Sequence, residues 1–124
     1  MKYMGSKSRF AKEILAIVLK DRLPDQWYVE PFCGGCNCID KVTGNRVAND
    51  SNVYLIAMWR ALVEQNWKPS KLSRAEYQEI RHHRDQYPMR EVGWAGFNCS
   101  YCGVWFGSYS GVTATKIGTV RDYQ

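Results

Sequence analysis

Five consecutive residues, Cys33-Gly34-Gly35-Cys36-Asn37, follow a short apolar run, Trp27-Tyr28-Val29, and Glu30-Pro31-Phe32. Glycines at such a point let the backbone approach a ligand, and a helix opening just beyond offers free amides. Asp50 stands 15 residues after Gly35, at the end of a second run, Arg46-Val47-Ala48-Asn49. That is close to the ~20-residue spacing at which an acid meets ribose hydroxyls in a nucleotide site. The chemistry so served is the binding of a nucleoside-bearing cofactor. The alternative is structural, since Gly-Gly is a common turn and Asp50, before Ser51-Asn52, can cap the next helix.

The cysteines offer a second chemistry. Cys33-x-x-Cys36 and Cys99-x-x-Cys102 have the spacing of a tetrahedral zinc-thiolate site, with Cys38 as a spare. One zinc on Cys33, Cys36, Cys99 and Cys102 would staple the glycine loop to the C-terminal half and would crowd the cofactor loop. The competing reading is reduced, half-buried thiols. His82 and His83 fall on a basic stretch and read as a solvated face. No Ser or Cys nucleophile has an evident partner base.

These residues need elements to position them. Phe10, Ile14, Leu15, Ile17 and Val18 recur at helical spacing, predicting an amphipathic helix over residues 8–21, started by Ser6 or Ser8 and ended before Pro24. Residues 27–29 predict a short buried strand, Ile39 and Val42 a short helix closing on Gly44, and residues 46–50 a second strand. Val53, Leu55, Ile56, Trp59, Leu62 and Val63 predict a helix from Asn52 to about Gln65. Ser73 and Glu76 stand at capping-box spacing, predicting a helix over residues 73–86. Beyond Pro88, glycines interleave with Trp94, Phe97, Tyr101, Trp105, Phe106 and Tyr109, a pattern that predicts a hairpin or an aromatic-rich loop instead of a helix.

The chain of 124 residues has room for one compact domain, with residues 1–67 as a cofactor-half region and 68–124 as a helical segment leading into a hairpin. Apolar residues make up 45%, enough to bury a core and to exclude wholesale disorder. The excess of 17 Lys and Arg over 12 Asp and Glu favours an anionic partner. No apolar run approaches the ~18 residues needed to span a bilayer, and the N-terminus lacks a secretory pattern. The expectation is a cytoplasmic protein without a membrane partner.

Three blocks, Lys2-Tyr3-Met4-Gly5-Ser6-Lys7, Tyr28-Val29-Glu30-Pro31-Phe32-Cys33-Gly34-Gly35 and Ala48-Asn49-Asp50-Ser51-Asn52, resemble in order and spacing the Dam-type (D12 class) adenine-specific DNA N6-methyltransferases. The segments Asn98–Gly103 and Trp105–Tyr109 resemble the start of that family's DNA-contacting hairpin. The resemblance implies an α/β, partial Rossmann-like methyltransferase fold, with an incomplete sheet, flanking helices and an aromatic, glycine-rich C-terminal hairpin segment. It also implies S-adenosylmethionine as cofactor and DNA as partner. Tyr3, Gly5 and Lys7 would belong to the first cofactor block. Glu30, Phe32, Gly34 and Gly35 would form the loop under the methionine moiety, and Asp50 would hold the ribose. Lys2 and Tyr101 would face DNA, with Arg9 in the same basic N-terminal cluster. For Tyr3 and Phe32 the alternative is ordinary core packing.

The chain departs from the family in two ways. The catalytic Asp-Pro-Pro-Tyr or Asn-Pro-Pro-Tyr block lies after the hairpin, and no Pro-Pro pair occurs among these residues. That block orients the weakly nucleophilic adenine N6 and stacks on the extruded base, so its omission predicts no methylation by this chain alone. The family also typically has glycine where Cys36 and Cys102 stand. The expectations are therefore a truncated, inactive methyltransferase-like protein, or one subunit of a split enzyme whose partner covers the sheet. A third is a repurposed phage or mobile-element binding protein acting against CRISPR or restriction.

Overall fold

The computed structural model describes residues 1–114 and 116–124. They divide into two compact units, one of residues 5–51 and one of residues 1–4 with 52–124.

In the unit of residues 5–51, α1 (Ala11–Val18) precedes β1 (Tyr28–Glu30), and a single 3-10 turn (Ile39–Lys41) leads to β2 (Arg46–Ala48). β1 and β2 pair in parallel, with Tyr28 opposite Arg46, Val29 opposite Val47 and Glu30 opposite Ala48. The ladder extends past both strands, because the Asn49 amide donates to the Glu30 carbonyl and the Cys33 amide to the Asn49 carbonyl. The core here is Ala11, Leu15, Tyr28, Cys38 and Val42. Helix α1 is shorter than its apolar pattern and starts after Phe10, with no side-chain cap. Ser6 does not cap it, as its hydroxyl accepts from the Ser8 amide and from Asn37 Nδ2. The expected helix through Ile39 is only the 3-10 turn.

In the other unit, α2 (Val53–Glu64) is capped by Asn52, whose side chain accepts from the Leu55 amide. The next helix, α3 (Arg74–His82), carries the full capping box, with Ser73 Oγ accepting from the Glu76 amide and Glu76 Oε2 from the Ser73 amide. The first part of the region after Pro88, residues 89–98, overturns the non-helical expectation. It forms α4 (Met89–Gly93), which widens into a π-helical turn over Trp94–Asn98. Its glycines serve close packing: a Cβ on Gly93 would lie 2.2 Å from the Tyr54 carbonyl oxygen, and one on Gly96 would lie 2.3 Å from the Trp105 ring.

Tyr77, Ile80, Val92, Ala95, Cys99 and Phe106 form one core cluster and Leu55, Met58 and Phe97 another. Ser100 and Tyr109 make an isolated antiparallel bridge, and β3 (Thr113–Ala114) pairs antiparallel with β4 (Val120–Arg121). No helix among the described residues is long and apolar enough to cross a membrane.

Candidate functional site

The parallel register sets the glycine loop beside the residues that follow β2. Gly34 adopts φ +49° and Cys36 φ +56°, so the loop turns through left-handed backbone, closed by a 2.8 Å bond from the Cys36 amide to the Cys33 carbonyl. The Gly34 amide donates to Asp50 Oδ2 at 3.0 Å. Asp50 is thus tied to the loop, and the capping role that competed for it belongs to Asn52. Both Gly34 and Gly35 are buried, while Asp50 is half-buried.

A second set of bonds fixes where the loop begins. Glu30 is buried, and its Oε2 accepts from the Ile39 amide at 2.9 Å. Its Oε1 lies 3.3 Å from Lys7 Nζ, and Lys7 also donates to the Phe32 carbonyl at 2.6 Å. Burial, then the adjacent Glu30 charge, pushes the Tyr28 hydroxyl up to about 12, so this tyrosine stays protonated beside the carboxylate. Lys7 and Glu30 therefore brace each other and the loop. Phe32 is 74% exposed, which removes the core-packing alternative for that residue. Gly5 is exposed at φ +80°. Tyr3 belongs to the other unit, where its ring packs 5.5 Å from that of Phe97.

The cysteines do not assemble as a zinc site. Among the described residues no group of three or more His, Cys, Asp or Glu is placed to hold a metal ion. Cys99 is sealed in the core around Tyr77, and its burial pushes the thiol up to about 12. Cys102 is exposed at φ +53°. Cys33 and Cys38 are buried in the unit of residues 5–51, and burial raises both thiols. Each CxxC pair thus belongs to its own unit.

Of the residues expected at DNA, Lys2, Arg9 and Tyr101 are all exposed. The Lys2 backbone lies against Gly103, two residues beyond Tyr101, where an added Cβ would meet the Lys2 carbonyl oxygen at 2.3 Å. The Lys2 ammonium sits 4.6 Å from the centroid of the Tyr123 ring. Trp105 and Phe106, by contrast, are core: Trp105 lies 4.7 Å from both Phe97 and Phe106, and Phe106 is 6% exposed. His82 and His83 lie on the solvated side of α3, where His83 Nδ1 meets Glu79 Oε1 at 2.9 Å.

Composition and spacing missed two supports of this site. The mutual brace of Lys7 and Glu30 carries no local signal, because 23 residues separate them. The bond between Gly34 and Asp50 depends on strand register, which the short runs leave open.

The strand pair, the glycine turn after β1 and the carboxylate after β2 belong to a small protein of mixed helix and strand. The chain matches the D12 class N6 adenine-specific DNA methyltransferase family over residues 3–91, and it belongs to that family. No curated protein matches it.

Proposed function

We propose that this chain is a methyltransferase-like protein that binds S-adenosylmethionine on the loop of residues 32–36 and contacts DNA, but does not methylate it alone. The observation that carries the reading is the 3.0 Å bond joining the Gly34 amide to Asp50, which places a glycine turn and a carboxylate at one point. The residues fit the cofactor's two polar ends. The Gly34 amide is engaged by Asp50, so the Gly35 amide is the one that suits its amino-acid portion, and the Asp50 carboxylate suits the ribose diol. When bound, the cofactor supplies an activated methyl group. This chain's own part is to bind and orient it, with Lys7 and Glu30 holding the loop and Gly5 and Phe32 completing the cofactor region. The fold that goes with this reading is a partial Rossmann-like one, residues 1–67 forming the cofactor half and 68–124 the DNA-facing part. Lys2, Arg9 and Tyr101 are the proposed DNA contacts, the cations through phosphates and Tyr101 by stacking.

The absence of a Pro-Pro pair in these 124 residues underlies the proposed inactivity. One observation favours a split enzyme as the second reading. Val29 and Val47, register partners on the two strands, are 61% and 46% exposed, and Trp27 is 63% exposed. An apolar sheet face of this kind is ordinarily covered. A partner polypeptide bearing the Pro-Pro-Tyr block would cover it.

Calorimetric titration with S-adenosylmethionine tests the proposal. Saturable binding is expected, weakened roughly 10- to 100-fold in Asp50→Ala by loss of a charge-assisted hydrogen bond. No binding would reject the cofactor reading and leave a repurposed, non-catalytic binding protein, such as an inhibitor of CRISPR or restriction. Methyl transfer to DNA by the purified chain would reject the proposed inactivity.

A further inference from the structure

The loop that holds Gly34 also holds two thiols. Cys33 and Cys36 are the first and last residues of a tight turn, closed by the 2.8 Å bond from the Cys36 amide to the Cys33 carbonyl. Such a closure brings the two Cα atoms within ~7 Å, inside the range a disulfide spans. Cys36 Sγ donates to the Gly34 carbonyl oxygen at 3.9 Å, across the same turn, and burial raises both thiols. Access is asymmetric, since Cys33 is 2% exposed and Cys36 is half-buried. The other thiols lack this arrangement: Cys38 is packed with Tyr28 and Val42, and Cys99 lies in a separate core cluster.

We propose that Cys33 and Cys36 form a reversible intraloop disulfide, making the glycine turn a redox-modification site whose oxidant is a low-molecular-weight disulfide. Cys36, the accessible thiol, loses its proton and attacks one sulfur of oxidised glutathione, releasing one glutathione thiolate. Cys33 then loses its proton and attacks the Cys36 sulfur of the mixed disulfide, releasing the second glutathione. Two protein thiols are oxidised by two electrons and one glutathione disulfide is reduced to two thiols. The new bond clamps the turn across Gly34 and Gly35. This chemistry stands whether or not the loop binds S-adenosylmethionine.

The test uses the full reduced chain incubated with oxidised glutathione, then alkylation and tandem mass spectrometry without reduction. Titratable thiols should fall from five to about three. The peptide holding Cys33, Cys36 and Cys38 should lose two hydrogens and carry one alkyl label, on Cys38. Cys38→Ser should behave identically. Cys36→Gly, compatible with the left-handed backbone and so expected to fold, should retain all its remaining thiols; circular dichroism checks its fold. Persistent labelling of all three cysteines, a Cys36–Cys38 bond, a Cys99–Cys102 bond alone, or a glutathione adduct that never resolves would each overturn the proposal.

Discussion

Substituting Gly93 sets two physical effects against each other. By helix propensity alone, Gly93→Ala in α4 should stabilise the protein by up to ~1 kcal/mol. The structure predicts the opposite. The alanine Cβ would lie 2.2 Å from the Tyr54 carbonyl oxygen, and 2.9 Å from both the Tyr54 carbonyl carbon and Met58 Cβ. The first two atoms are helical backbone of α2, which cannot swing aside as a side-chain tip can. Restoring ordinary contact requires α2 and α4 to part by roughly 1 Å. Their packing is the most extensive pairing of elements in the chain, and Met58 there is fully buried. Overpacking of this kind costs about 1–3 kcal/mol, toward the upper end where backbone is the obstacle. After the propensity gain, a net loss of about 2 kcal/mol remains, or a fall of roughly 8 °C in Tm. Tryptophan fluorescence during thermal unfolding suits the assay, since Trp59, Trp67, Trp94 and Trp105 all lie in the unit containing α2 and α4. A Gly93→Ala protein that melts at or above the parent temperature would refute the close approach of the two helices.

Three other outcomes follow from local geometry. Tyr77→Phe removes a buried 2.9 Å bond to Ser100 Oγ, which still donates to the Ala95 carbonyl, and should cost about 1 kcal/mol in urea unfolding. Cys102→Gly should raise Tm slightly: leaving φ +53° relieves ~1–2 kcal/mol, of which the extra freedom of glycine returns about half, and the exposed side chain contributes little packing. The side-chain and backbone bonds to Ser73 lower the Glu76 pKa below its ordinary 4.5, so the carboxylate's stabilisation is fully present above that pH and is lost as pH falls through the lowered value. Glu76→Gln should flatten that part of the acid-unfolding profile, and an unchanged profile would count against the capping box.

What the sequence discloses depends on how local the cause is. Helix α2 and its Asn52 cap, and α3 with Ser73 and Glu76, are set by residues within a turn or two of each other, so spacing alone reveals them. Helix α4 is hidden because its glycines carry a tertiary meaning. Gly93 and Gly96 look like turn formers, yet each is small because a neighbour occupies the space a side chain would need, Tyr54 in one case and Trp105 in the other. The same distinction runs through the candidate site. Gly34 and Asp50 are legible as types, a glycine turn after one apolar run and an acid after the next. That they bond directly follows only from the parallel register of β1 on β2, which puts residues 16 apart in sequence 3.0 Å apart in space. The spacing of Cys33-x-x-Cys36 was equally visible, but zinc required the second pair. Cys99 lies inside the core of its own unit, whereas Cys33 and Cys36 close one tight turn, so what joins them is local backbone geometry.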